Sequence, residues 1–176
     1  SAARPWSLEA LPLIVEPHDW AQIEAGVVQR AQLLSQMLAD LYGPQRLLHD
    51  ALLPGPLVFR HSGYLRPMHG VVPVGGMHLH IAAFDVARGV DGDWWVMSQR
   101  TQSPSGLGYV LHNRLIVSRL FPEPFRELRV QHIASAYRRL IDTVAQQAAE
   151  VAARLGDGNT PRIALLTPGP YNETYF

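Results

Sequence analysis

Met77-His78-Leu79-His80-Ile81-Ala82-Ala83-Phe84-Asp85-Val86 alternates along its length, and Trp94-Trp95-Val96-Met97-Ser98-Gln99 follows after Gly89-Val90-Asp91-Gly92-Asp93. In the first run Leu79, Ile81 and Ala83 share a face with Asp85, while His78, His80, Ala82 and Phe84 take the other. Two β-type runs joined by an Asp-Gly turn predict a hairpin. Trp94-Trp95 then puts one ring on each face, and at least one of them reads as packed core.

Outward from the hairpin, the grammar is helical on both sides. Asp19 stands before Trp20 with Gln22 three residues on, which reads as a cap with a capping-box partner. Trp20, Ile23, Val27, Leu34, Leu38 and Leu41 recur at helical spacing, so the pattern predicts an amphipathic helix over 20–42 that stops at Gly43-Pro44. A short second helix is expected over Gln45–Leu52, and Leu57-Val58-Phe59 reads as a short strand. Residues 107–119 fit strand, helix or both in succession. Beyond the breaks at Pro122 and Pro124, Ile133, Tyr137, Leu140, Ile141, Val144, Ala148 and Val151 form one stripe, predicting a long helix from about Arg126 to Leu155. Arg162-Ile163-Ala164-Leu165-Leu166 reads as a buried-type strand running into a Pro-Gly-Pro turn. The fold class is therefore α+β, with a mostly antiparallel sheet and flanking amphipathic helices.

Composition narrows the chemistry. With 47% hydrophobic and 17% charged residues the 176-residue chain can bury a core. Its formal net charge is zero, so neither nucleic acid nor an anionic membrane is an expected partner. There is no cysteine, which removes disulfides, thiolate chemistry and sulfur-built zinc sites. There is also no lysine, and all 15 cations are arginine. A Walker phosphate loop and a Schiff base both need that amine, so neither can exist here. No apolar run approaches the roughly 18 to 20 residues that span a bilayer, and no signal peptide is visible at Ser1-Ala2-Ala3-Arg4-Pro5. A cytoplasmic location is expected, and the missing initiator Met points to a chain cut from a longer one.

Three stretches together resemble the circularly permuted ATP-grasp proteins, the group that includes glutathionylspermidine synthetase-like ligases. They are Trp20 to Arg30 with Asp40, Tyr42 and Gln45 further on; His80 to Arg88 with the Asp91-Gly92 turn; and Pro104-Ser105-Gly106-Leu107-Gly108-Tyr109-Val110-Leu111-His112-Asn113-Arg114. The run Leu166 to Thr174 looks like the start of the Rossmann-like domain of such proteins. The resemblance implies an organisation of three parts: an extended lead-in over 1–18, the N-terminal part of a permuted ATP-grasp domain over 19–155, and the first strand and turn of a truncated Rossmann-like domain over 161–176. It also implies ATP and magnesium in the intact protein, where a carboxylate is activated as an acyl phosphate and then attacked by an amine. The partners implied are the rest of the same polypeptide and a small-molecule carboxylate and amine or peptide. No tightly bound cofactor and no catalytic residue are expected in this chain alone.

By the same resemblance, Asp85 matches a metal ligand, and Arg100, Ser105, Gly106, Asn113 and Arg114 fall on the nucleotide-binding side. The resemblance also expects a Glu at position 98, an Asn at 100 and a Glu at 112, where this chain has Ser98, Arg100 and His112. Asp85 can equally be a strand carboxylate paired with Arg88 or Arg100. Arg100 can bind a phosphate or carboxylate through its planar fork, or simply neutralise Asp85. His78 and His80 lack an interpretable third ligand for zinc. Ser105 lacks the elbow and the base of a nucleophile. The alternative function is a degenerate ATP-grasp domain serving as a scaffold or protein-binding module.

Overall fold

The computed structural model describes residues 11–156, 158–166 and 169. The chain divides into two compact units, one from Ile14 to Pro104 and one built on the residues from Ser105 onward.

The first unit opens with α1 (Pro17–Leu41). Pro17 suits the first helical turn, where its missing N–H costs nothing, so the helix starts two residues ahead of Asp19. The capping role expected of Asp19 is therefore not used. Its carboxylate sits in the first turn, favourable to the helix dipole, 3.7 Å from Arg88. Along the predicted stripe Ile23 is buried and Val27, Leu34, Leu38 and Leu41 are half-buried.

α2 (Arg46–His49) is shorter than expected, and Asp40 explains how it forms at all. The Asp40 carboxylate, at the end of α1, accepts hydrogen bonds from the backbone N–H groups of Arg46 and Leu47, both at 3.0 Å. Leu57-Val58-Phe59 is not a strand; it lies in α3 (Gly55–Phe59), where Pro56 in the first turn presets the helical φ. Val58 is buried, and the Phe59 ring meets the Tyr64 ring edge-on at 5.4 Å.

The hairpin follows as β1 (Ala83–Arg88) and β2 (Trp94–Arg100), paired antiparallel. Residues 77–82, expected to extend the first strand, lie outside the ladder, so His78 and His80 are not on a sheet face. α1 packs across one side of the hairpin; there Arg88 reaches Asp19, and Arg30 Nη1 donates to Gln99 Oε1 at 3.4 Å.

In the second unit the stretch left open by the sequence is the helix α4 (Leu107–Leu120). Pro122 starts the short helix α5 (Pro122–Glu127), again from a first-turn position. The long helix expected over 126–155 is divided: α6 spans only Ala134–Arg154. The break is a complete Schellman motif, with Val130 N–H donating to Phe125 C=O and Arg129 N–H to Arg126 C=O. Helical periodicity carries no record of that turn, because its left-handed position holds Arg129 (φ 50°) in place of the usual glycine. Phe125 is buried beneath it. Arg162–Leu166 is not a strand and takes no place in the two-stranded sheet. Apart from Gly169, the turn expected after it lies outside the described residues.

Candidate functional site

A register shift in the hairpin builds the site. Ala83 pairs with Arg100, Phe84 with Gln99 and Asp85 with Ser98, but the next pair is Val86 with Val96, which leaves Met97 without a partner. In a regular strand Trp94, Val96, Ser98 and Arg100 would all fall on one face. The extra residue swings Ser98 and Arg100 to the other face, opposite Asp85. Phe84, Val86, Trp94 and Val96 are half-buried, whereas Asp85, Ser98 and Arg100 are exposed along with Trp95 and Met97, at 58% and 69%.

On that exposed face Ser98 Oγ donates to Asp85 Oδ2, and Arg100 Nη2 donates to Asp85 Oδ1 at 3.0 Å. Both ends of the ion pair face water, with 60% of the Arg100 side chain and 51% of the Asp85 side chain accessible. The Ser98 hydroxyl does most to hold the Asp85 carboxyl below its ordinary value of 3.8; desolvation opposes it, and the charge and hydrogen bond of Arg100 add to the lowering. One Arg100 nitrogen is committed to Asp85, and the rest of its donor fork remains open to an incoming oxyanion.

Ser105, Gly106, Asn113 and Arg114 belong to the second unit. Gly106 precedes α4 at φ 105°, a backbone state open to glycine and strained for other residues, and no side chain caps the helix start. Ser105 is exposed beside it. Asn113 and Arg114 lie in the middle of α4, half-buried, and their side chains make no hydrogen bond among the described residues. The structure therefore joins Asp85 to Arg100 directly and carries Ser105, Gly106, Asn113 and Arg114 on a separate element.

Sequence reasoning missed Met97 and Ser98 as determinants of the site. The signal was present in the polarity of β2, where Trp94 and Val96 are apolar and the next two residues in phase, Ser98 and Arg100, are polar. Asp40, Tyr42 and Gln45 turn out to be architectural. Tyr42 stacks on Tyr64 at 5.1 Å and its hydroxyl accepts from Leu65 N–H, while Gln45 Nε2 donates to Leu41 C=O and reaches the Tyr64 hydroxyl. Among the described residues no group of three or more His, Asp or Glu side chains could hold a metal ion, and no helix is long and apolar enough to cross a membrane.

Comparison with known proteins supplies the frame for this geometry. An uncharacterized protein of Mycobacterium tuberculosis is 37% identical over 172 residues, covering 98% of this chain and 19% of its own length. A second from the same species is 34% identical over 173 residues, covering 98% of this chain and 30% of its own. One from Synechocystis is 33% identical over 173 residues, covering 98% and 35%. The chain thus spans about a fifth to a third of the length of these curated relatives. The family model of circularly permuted ATP-grasp proteins, type 2, matches residues 12–176, nearly the entire sequence. With the hairpin, its flanking helices and that match together, the chain belongs to the circularly permuted ATP-grasp family, type 2.

Proposed function

We propose that this chain supplies one wall of the nucleotide site of a larger ATP-dependent carboxylate–amine ligase-like protein and carries out no phosphoryl transfer alone. Membership of the ATP-grasp family supports the reading, and the single structural observation behind it is the open guanidinium of Arg100, held in place by Asp85 on the exposed face of the hairpin. In the proposed reaction a substrate carboxylate attacks the terminal phosphorus of ATP, ADP leaves, and the amine then displaces phosphate from the acyl phosphate. Arg100, Ser105, Gly106, Asn113 and Arg114 would contact the nucleotide, with Asp85 positioning Arg100. Any lysine in that site must come from outside this chain, which has none.

Magnesium accompanies ATP in this chemistry, but the described residues do not fit a magnesium centre. Asp85 is the one carboxylate at the site, and its two oxygens are already engaged by Ser98 and Arg100. A hard cation of this kind needs near-octahedral oxygen coordination, and a guanidinium beside the carboxylate repels it. Metal ligands would have to be supplied by other parts of the intact polypeptide.

The test is calorimetric titration of the full-length protein with ATP and ADP, with and without magnesium. Binding is expected, weakened on the order of tenfold by Arg100→Gln, since one charge-assisted contact is lost. No nucleotide binding by a folded full-length protein would defeat the ligase reading. That outcome belongs to the second reading, a non-catalytic scaffold, which Ser98, Arg100 and His112 favour, since they stand where the family resemblance expects Glu, Asn and Glu.

A further inference from the structure

The Schellman turn that divides the expected long helix opens a groove of about 550 Å³ lined by Ser118, Pro122, Phe125, Arg126, Arg129, Val130 and His132. Pro122, Phe125, Arg126 and Arg129 are spaced i, i+3, i+4 and i+7, so α5 and its cap turn one face into the groove. The acids of α5, Glu123 and Glu127, are out of phase with that face and do not line it. The lining therefore holds two guanidinium groups, an imidazole and a hydroxyl with no carboxylate. Neither Arg126 nor Arg129 makes an ion pair among the described residues.

The floor is packed and hydrogen-bonded where the charges are anchored. Buried Phe125 contacts the His132 ring at 5.3 Å, and Val130 N–H donates to its carbonyl. Arg129 occupies the left-handed position of the turn (φ 50°), which glycine fills at least strain. A long charged side chain at such a position is locally unfavourable, and it stands beside a second unpaired arginine. Local strain kept where it concentrates charge is the mark of a binding feature more than of a folding one.

We propose that this groove is a phosphate-binding site, with Arg126 and Arg129 supplying forked donors, His132 at its edge, Ser118 lining it with a hydroxyl that donates to Leu115 C=O, and Phe125 forming the apolar floor. Two unpaired guanidinium groups match the charge and the donor demand of a phosphate dianion. The ligand class is free phosphate or a small phosphate monoester.

The test uses the full-length protein with inorganic phosphate and with a sugar phosphate as separate probes, read by calorimetry at fixed ionic strength. Phosphate binding is expected in the wild type and should weaken about tenfold in Arg129→Gly and in Arg126→Gln. The sugar phosphate binding more tightly than inorganic phosphate identifies the monoester as ligand, and equal affinity identifies the free anion. Arg129→Gly should at the same time melt about 2 °C higher, because the turn loses its strain. A variant both more stable and less able to bind separates a ligand role from a structural one. Absent phosphate binding in the wild type, or binding unchanged in both variants, overturns the proposal. ATP titration of the same variants should remain as in the wild type, so failure here leaves the ligase reading standing.

Discussion

Asp85 shows how two neighbours can settle the state of one carboxylate. Its pKa is depressed by Ser98 and then Arg100, so the pair's contribution is fully present above the ordinary value of 3.8 and is lost as pH falls through the lower folded value. Thermal melts of wild type and Asp85→Asn should differ by a constant small amount above about pH 5 and converge toward pH 2. A difference that grew on acidification would contradict the assignment. Gly89 at the turn makes a second case. A Cβ there would lie 2.9 Å from Trp95 Nε1 and 2.5 Å from Asp91 Oδ1. Both obstacles are side-chain ends that can yield, so Gly89→Ala should cost about 1 kcal/mol, read as a lower urea midpoint at unchanged slope.

At the scale of elements, capping and register matter more than propensity. α2 is a single turn whose first N–H groups are held by Asp40, so Asp40→Ala should cost about 1 kcal/mol in chemical denaturation. The face that Ser98 and Arg100 take turns on Met97, the residue of β2 that the register leaves without a partner. Deleting Met97 should restore regular alternation while leaving Ser98 and Arg100 opposite Asp85, so the ion pair survives. The readout is the Asp85 titration by carbon-detected NMR, which should stay below 3.8. A titration that rose back to 3.8 would show that the pair needs the bulge itself and not only the face it sets. The helix elements also show what periodicity misses. The stripe of α6 was legible from Ile133 to Val151, yet nothing in it announced a left-handed turn at Arg129.

Across the whole molecule, burial is thin. Among the described residues only Ile23, Val58 and Phe125 are buried hydrophobics, while Tyr137, Ile141, Val144 and Val151 on the α6 stripe are exposed. Hydrophobic stabilisation scales with apolar area removed from water, so the 176-residue chain by itself should be marginal. Urea unfolding should give less than about 5 kcal/mol, with dye binding to exposed apolar surface under native conditions. A stability above that range with no dye binding would show that these faces are covered in solution.

The amino-acid sequence determined the hairpin and its Asp-Gly turn, the stripes of α1 and α6, and the absence of lysine and thiol chemistry, because periodicity, turn residues and composition are local properties. It also carried the family, through motifs whose order and spacing span nearly the whole chain. Tertiary structure alone decided the rest. Whether Ser98 and Arg100 face Asp85 depends on pairing with another strand, and whether Pro56 and Pro122 break the chain or begin helices depends on what those turns pack against. Strand register and the direction of a turn arise from contacts between distant residues, which no local window contains.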